Sequence, residues 1–329
     1  MKRIIAIVAG GDSSEHDVSL RSAQGIYSFM DKELYDCYII EIKGTEWKAL
    51  LPEGKTAEVS REDFSFCMDG KRIRPDFAYI TIHGAPGENG ILQGYFDLIK
   101  MPYSTSDVLV EALTFDKYTL NNFLKSFGIR VADSIRIRKG KEDEWSDEDI
   151  IARLGLPCFI KPAADGSSFG VTKVKEASQL RPAIAKAMSE GNDTMIERFI
   201  QGREITCGCY KTRKAQAVFP ITEVVTQHDF FDYDAKYNGA VKEITPARIS
   251  EETARRVGDL TMRIYDLLDC NGIIRIDYIL TGKEGSEDIN LLEINTTPGM
   301  TPTSFIPQQI RAAGMNIGEV LSNIIENKF

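Results

Sequence analysis

Two short segments late in this 329-residue chain carry polar side chains at strand spacing, Arg275-Ile276-Asp277 and Glu293-Ile294-Asn295. Residues two apart on a β-strand share a face, so each polar pair points one way and its isoleucine the other. A hairpin centred on Gly285 sets Asp277 opposite Glu293 and Arg275 opposite Asn295. Opposed carboxylates lie about 5 Å apart and repel, so something must hold them there. A divalent cation is the simplest candidate. Asp, Glu and Asn supply only hard oxygen donors, which suit Mg²⁺ or Mn²⁺ and leave room for phosphate oxygens and water. An ordinary exposed polar sheet face has the same alternation, and a bulge would spoil the register.

Upstream, Cys158-Phe159-Ile160-Lys161-Pro162 reads as a strand delivering Lys161 to a small-residue loop over 163–170. The ammonium is a point charge for phosphate, and Gly166, Ser167, Ser168 and Gly170 offer backbone donors at close range. Because the Lys precedes the loop, this is not the P-loop pattern. On its own such a loop turns the chain as readily as it binds phosphate. Ile196-Glu197-Arg198-Phe199-Ile200 and Gly202-Arg203-Glu204 read as strand, turn and strand. The backbone edge suits an adenine and the carboxylates suit ribose hydroxyls, although a plain hairpin with surface acids fits equally. The segment 226–241 is a long loop holding five aromatic or His residues. Such loops are usually functional, which gives a closing lid; a surface excursion packed by its own aromatics is the alternative.

The elements that must position these groups are legible in outline. Residues 4–8 form a buried-strand run ending at Gly10-Gly11, and Ser14-x-x-Asp17 reads as the start of a helix over 18–30. Runs at 35–42 and 77–82 are further strands and 91–99 a helix, giving βα units around a parallel sheet. The loops 10–17 and 83–90 fall at the carboxyl edge of that sheet, where ligands bind. After Met101-Pro102-Tyr103 the pattern changes to a helix over 114–127 and strands at 158–161, 171–174, 194–199 and 205–210, with a helix at 179–189 between them. A helix at 251–268 precedes the two strands of the hairpin. The expected fold is α/β and α+β, with units at 1–105, 106–197 and 198–329.

Composition narrows the function. Hydrophobic residues make up 43% and charged residues 27%, as in an ordinary globular protein. A net charge of −9 without a basic stretch argues against nucleic-acid binding. No apolar run is long enough for a bilayer, and Met1-Lys2-Arg3 opens no signal peptide, so a cytoplasmic location without membrane contact is expected. The six cysteines form no Cys-x-x-Cys pair, and zinc is not expected. Cys158, Cys207, Cys209 and Cys270 read as buried, reduced thiols.

Taken together these residues resemble the ATP-grasp superfamily and, within it, the D-alanine–D-alanine ligase family. The resemblance runs from Gly10 to about Pro307. It rests on Gly10-Gly11-x3-Glu15-x2-Val18-Ser19-Leu20, then His83-Gly84-x2-Gly87-Glu88-x-Gly90, then Leu292-Glu293-x-Asn295-Thr296-x-Pro298-Gly299-Met300-Thr301, in the family's order.

What the resemblance implies falls on numbered positions. Glu15 binds the ammonium of the first D-alanine, with His83 near its carboxylate. Lys117 and Lys161 contact ATP phosphates, with Lys236 beside them. Glu197, Phe199 and Ile200 line the adenine, and Glu204 the ribose. Asp277, Glu293 and Asn295 bind two magnesium ions, with manganese as a substitute. Arg275 and the Gly299 amide stabilise the tetrahedral transition state. Ser167 and Tyr237 link to Glu15, and Lys236 with Ser304 holds the second D-alanine's carboxylate. The resemblance implies an N-terminal Rossmann-like domain, two α+β domains sandwiching ATP, a homodimer, and ADP-forming ligation that supplies peptidoglycan precursors. A D-alanine–D-lactate or D-serine ligase, or a non-catalytic nucleotide-binding scaffold, stays open. Ala163-Ala164-Asp165 replaces a more polar family sequence, and Phe305 stands where an aliphatic residue is usual.

Overall fold

The computed structural model describes residues 2–164, 170–191, 193–226 and 241–329. Its first strand, β1 (Arg3–Gly10), is buried from Ile5 onward. It pairs in parallel with β2 (Tyr35–Lys43) and with β7 (Phe77–Ile80). Two short strands, β3 (Glu46–Leu50) and β4 (Thr56–Glu58), extend the sheet antiparallel in the order β4-β3-β2-β1-β7. The sheet is therefore parallel at its centre and mixed overall, not parallel throughout. A small ribbon, β5 (Phe66–Met68) and β6 (Lys71–Ile73), packs beneath it.

Helix α1 (His16–Phe29) follows β1, and α2 (Ile91–Leu98) follows β7. The expected capping by Ser14 does not occur: Glu15 is the N-cap residue and its side chain makes no capping bond. Instead the Ser13 hydroxyl accepts the Glu15 N–H at 3.2 Å and donates to the His83 carbonyl at 2.8 Å. This turn serves to pin the two ligand-edge loops together. Gly10 makes the turn possible, because its φ is +98° and a Cβ there would sit 2.4 Å from the Ile42 carbonyl.

The single helix expected over 114–127 is two, α3 (Val108–Phe115) and α4 (Lys117–Ser126). Asp116 breaks them with extended backbone and caps α4 by accepting the Thr119 N–H at 2.8 Å. Strand β8 (Ser134–Arg138), helix α5 (Asp147–Leu154), β9 (Cys158–Pro162), β10 (Thr172–Val174), α6 (Leu180–Glu190) and β11 (Asp193–Arg198) come next. The four strands form an antiparallel sheet in the order β10-β9-β11-β8. Its Ile160 and Ile196 face α5 and α6 in one apolar cluster, so the alternate residues Lys161 and Glu197 face away from it.

The third sheet comprises β12 (Arg203–Lys211), β13 (Gln216–Val218), β14 (Thr222–Thr226), β15 (Val241–Ile244), β16 (Ile273–Thr281) and β17 (Asp288–Asn295). Helix α7 (Glu251–Leu267) backs it, and Leu120 and Leu124 of α4 join the same core. Thr226 pairs with Val241, so the expected lid is inserted in a hairpin whose ends are adjacent; its residues 227–240 lie outside the described residues. Helix α8 (Phe305–Ala312) seats on β12, where Gln309 accepts the Gly208 N–H at 3.0 Å, and α9 (Ile317–Glu326) returns to the first unit; Ile306, Ile310, Val320, Leu321, Ile324 and Ile325 share a core with Ile5, Ile7 and Phe77. The four cysteines expected to be buried are buried and reduced. Burial pushes the Cys158 thiol up to about 11 and the Cys207 thiol to about 12.

Candidate active site

The hairpin pairing expected from spacing is present: Arg275 opposes Asn295 and Asp277 opposes Glu293. Beyond Asp277 the ladder slips, with Tyr278 opposite Leu291. Leu292 is the extra residue of a bulge, which is why the turn-side half is not centred on Gly285 while the site half is. Leu292 and Glu293 both line the cavity, while Leu291 and Tyr278 enter the core on the other side.

Asp277 is nearly buried and densely held. Arg275 donates two 2.9 Å hydrogen bonds to its two oxygens, Thr206 Oγ1 donates at 2.5 Å, and the Asn295 amide donates at 3.2 Å. Burial opposes the Arg275 charge, but Asp277, together with Glu293 and Glu88, outweighs it and raises the guanidinium above its ordinary value. The opposed carboxylates therefore already have a counter-charge in Arg275. A divalent cation, the simplest candidate from spacing, would therefore join a positive charge that the protein already supplies. The donor set nevertheless fits magnesium: two carboxylates and one amide, all hard, face the cavity. Among the described residues no three His, Cys, Asp or Glu side chains cluster as an all-protein metal cage. Mg²⁺ characteristically takes few protein ligands and completes its shell with phosphate and water.

The cavity measures about 1390 Å³ and is lined by α1 and the loop after β7 on one side and by the second and third sheets on the other. Every expected site residue within the described segments lines it: Glu15 and His83 from the first unit, Lys117, Lys161 and Glu197 from the middle, and Phe199, Ile200, Glu204, Arg275, Asp277, Glu293, Asn295, Gly299 and Ser304 from the last. Ser167, Lys236 and Tyr237 lie outside the described residues.

Lys117 reaches the site because it opens α4, where its backbone N–H donates to the Ala163 carbonyl at 2.9 Å. That bond sets it beside the end of β9, which carries Lys161. Lys161 Nζ lies 2.7 Å from Glu197 Oε2 in a buried pair, and Asn121 donates to the other Glu197 oxygen at 3.3 Å. Phe159 and Phe199 meet edge to face at 5.8 Å, and Lys173 lies 3.9 Å above the Phe199 ring. With Ile279 and Leu292 they make an apolar end to the cleft. The turn into β12 runs so close to β16 that a Cβ on Gly202 would sit 2.3 Å from the Leu280 carbonyl.

At the other end, the Ser304 hydroxyl caps the loop 299–304 by accepting the Thr301 N–H at 3.1 Å. Phe305 faces Arg275, with guanidinium and ring centroid 5.4 Å apart. His83 is buried, with Ser22 Oγ 3.4 Å from its Nε2. Glu88, beside it, accepts the Gly84 N–H at 2.7 Å. Burial raises the Glu88 carboxyl above its ordinary range despite the nearby His83. Glu88 stands in the second motif, yet spacing assigns it no role. Leu292, Lys173, Glu243 and Gln308 also line the cavity without being expected from the sequence. No sequence signal marks Leu292, because a bulge has no local signature in letters.

A Rossmann-like unit followed by two α+β units around a nucleotide-sized cleft is the ATP-grasp architecture. Two family models cover the chain, described as D-ala D-ala ligase N-terminus over residues 4–106 and D-ala D-ala ligase C-terminus over 123–326. D-alanine–D-alanine ligases of Phocaeicola vulgatus and Bacteroides thetaiotaomicron are 64% and 61% identical, each aligned over all of both chains. Among solved structures, the VanG D-Ala:D-Ser ligase of Enterococcus faecalis superposes with a TM-score of 0.88 at 30% identity, covering all of both chains. The Bacillus anthracis D-alanine–D-alanine ligase complexed with ATP gives 0.75 at 25% identity, over 99% of this chain and 96% of that one. The chain belongs to the D-alanine–D-alanine ligase family.

Proposed function

We propose that this chain joins two D-alanines at the expense of ATP, through a D-alanyl phosphate, to supply peptidoglycan precursors. The observation that carries the assignment is the opposed Asp277 and Glu293 facing one cavity with Lys117 and Lys161. Asp277, Glu293 and Asn295 would hold two magnesium or manganese ions, which neutralise phosphate charge during transfer. Lys117, Lys161 and Lys236 bind the phosphates. Glu197, Phe199 and Ile200 take the adenine and Glu204 the ribose.

Glu15 and His83 orient the first D-alanine so that its carboxylate meets the γ-phosphate. A C–O–P bond forms and ADP leaves. The second D-alanine, held through its carboxylate by Ser304 and Lys236, attacks the carbonyl with its amine, and phosphate leaves. Arg275 and the Gly299 N–H face the oxyanion that develops there. Ser167 and Tyr237 join Glu15 in a hydrogen-bonded link that closes the subsite. Water exclusion by the 226–241 lid protects the acyl phosphate from hydrolysis.

The proposal includes units at 1–105, 106–197 and 198–329, a cytoplasmic location and a homodimer. None of the described helices is long and apolar enough to cross a membrane. Leu98 and Leu109, 83% and 72% exposed on α2 and α3, offer an apolar face for a second copy. A D-alanine–D-serine ligase is the second reading, favoured by the match to the Enterococcus faecalis enzyme. An ADP-release assay with Mg-ATP and a panel of D-alanine, L-alanine, D-serine and D-lactate separates them, with product analysis. D-Alanyl-D-alanine as the main product is expected. Mostly D-alanyl-D-serine or ester overturns the substrate assignment, and no turnover with any member leaves a non-catalytic scaffold.

A further inference from the structure

Helix α3 turns one acidic side chain inward. Glu111 has no exposed surface, and among the described residues no Lys or Arg forms an ion pair with it. Its Oε1 accepts the Ser106 N–H at 3.1 Å, and its Oε2 is hydrogen-bonded to Thr296 Oγ1. Ser106 is itself tied to the third unit, since its hydroxyl accepts the Asn271 N–H at 3.0 Å and donates to the Asn271 carbonyl at 3.3 Å. Thr296 directly follows Asn295, and the segment it opens carries Gly299 and Ser304. That segment is pinned at two further points: Thr297 Oγ1 donates to the Ile82 carbonyl at 3.0 Å, and the Met300 N–H donates to Ser22 Oγ at 3.3 Å.

A carboxyl group is an expensive choice for a merely structural contact, because burial without a counter-charge penalises its ionised form. Desolvation accordingly raises Glu111 well above its ordinary range, with the Thr296 contact opposing. The carboxyl group offers what the spot requires: one oxygen to accept the Ser106 N–H and a second to accept the Thr296 hydroxyl.

We infer that Glu111 is a positioning residue for the ligation reaction: as a buried hydrogen-bonded clamp on Thr296, it fixes the strand exit bearing Asn295 and the loop bearing the Gly299 N–H. The inference rests on the ligase reading above. Glu111 does not line the cavity, so it acts on turnover and not on substrate capture.

The test compares Glu111→Gln, whose neutral amide accepts the Ser106 N–H through its oxygen and donates through its NH2 to a rotated Thr296 hydroxyl, with Glu111→Ala and Thr296→Val. Steady-state kinetics with Mg-ATP and D-alanine are measured beside amide hydrogen exchange of residues 296–300 in metal-free protein. Glu111→Ala is expected to lower kcat about tenfold or more, because a small misplacement of catalytic groups suffices. Its KM values for ATP and D-alanine stay within about threefold, and exchange at 296–300 accelerates. Glu111→Gln should stay near the unmodified protein in both readouts. Wild-type kcat in Glu111→Ala, unchanged exchange, or equal impairment of the Ala and Gln variants overturns the inference. Should Glu111→Ala fail to fold, Thr296→Val, which keeps Glu111 bonded to Ser106, must show the same loss of kcat, and normal turnover there also overturns it. An unmodified protein inactive with D-alanine would instead refute the ligase reading, while its exchange data still decide whether the clamp exists.

Discussion

Asp277 and Glu293 sit across one rung of a strand pair, but their surroundings divide the labour between stability and chemistry. Asp277 is the anchor of the Arg275 guanidinium and also receives Thr206 and Asn295. Removing it leaves a nearly buried cation with its main partner gone. Asp277→Ala should therefore lose about 3 kcal/mol of stability as well as activity, read from the urea midpoint. Glu293 faces the cavity from the opposite strand, and the Arg275 fork closes on Asp277. Glu293→Gln should cut turnover about a hundredfold or more by weakening charge compensation at the phosphates, with a melting temperature close to the unmodified protein's. A large drop in melting temperature with near-native turnover would reverse the assignment. At this scale the chemistry is legible in the sequence, because residue type and alternation suffice to mark hard donors on one face. The Arg275 fork is not, since spacing within one strand does not reveal which neighbour a guanidinium chooses.

Secondary-structure elements deliver these groups through their irregularities. Asp116 ends one helix and starts the next, so Lys117 occupies a first turn next to β9. Spacing alone reads 114–127 as one helix, since an Asp inside an apolar-periodic run looks like a solvated position until its cap is seen. The hairpin shows the opposite case. The register of its site half follows from spacing, but the turn-side ladder is offset and the bulge at Leu292 restores the register. That extra residue adds an apolar side chain to the cavity lining, to which Phe199 and Ile279 also belong. Leu292→Ala should raise KM for ATP about tenfold, the worth of one lost apolar contact, with kcat and KM for D-alanine little changed. An equal rise in both KM values would argue against Leu292 lining the nucleotide end.

Two acids, half-buried Glu88 and fully buried Glu111, hold their protons more tightly folded than unfolded. The folded state then binds more protons above the ordinary carboxyl value of 4.5. Stability from these groups is complete below that value and is lost as pH rises through their raised folded values. The melting temperature should decline from pH 5 towards neutrality. Glu111→Gln, which cannot ionise, should flatten that decline, by about 1.4 kcal/mol for each tenfold difference in proton affinity between the folded and unfolded carboxyl. An identical slope in the variant would rule out Glu111 as a contributor.

Helix α9 covers one face of the first sheet, sharing an apolar cluster with Ile5, Ile7 and Phe77, while α8 joins that cluster from its seat on β12. A ribosome makes that sheet early and its cover long afterwards, with two other cores synthesised in between. The nascent first unit must therefore wait with an apolar face exposed to water, a natural target for holding chaperones. Expressed alone, residues 1–105 should aggregate, and adding residues 302–329 in trans should rescue solubility by restoring the missing layer. Light scattering of the fragment with and without that segment reads the outcome, and a fragment that stays monomeric on its own would mean the face needs no cover. The chain's order of synthesis, as much as its order of elements, then shapes how it reaches its fold.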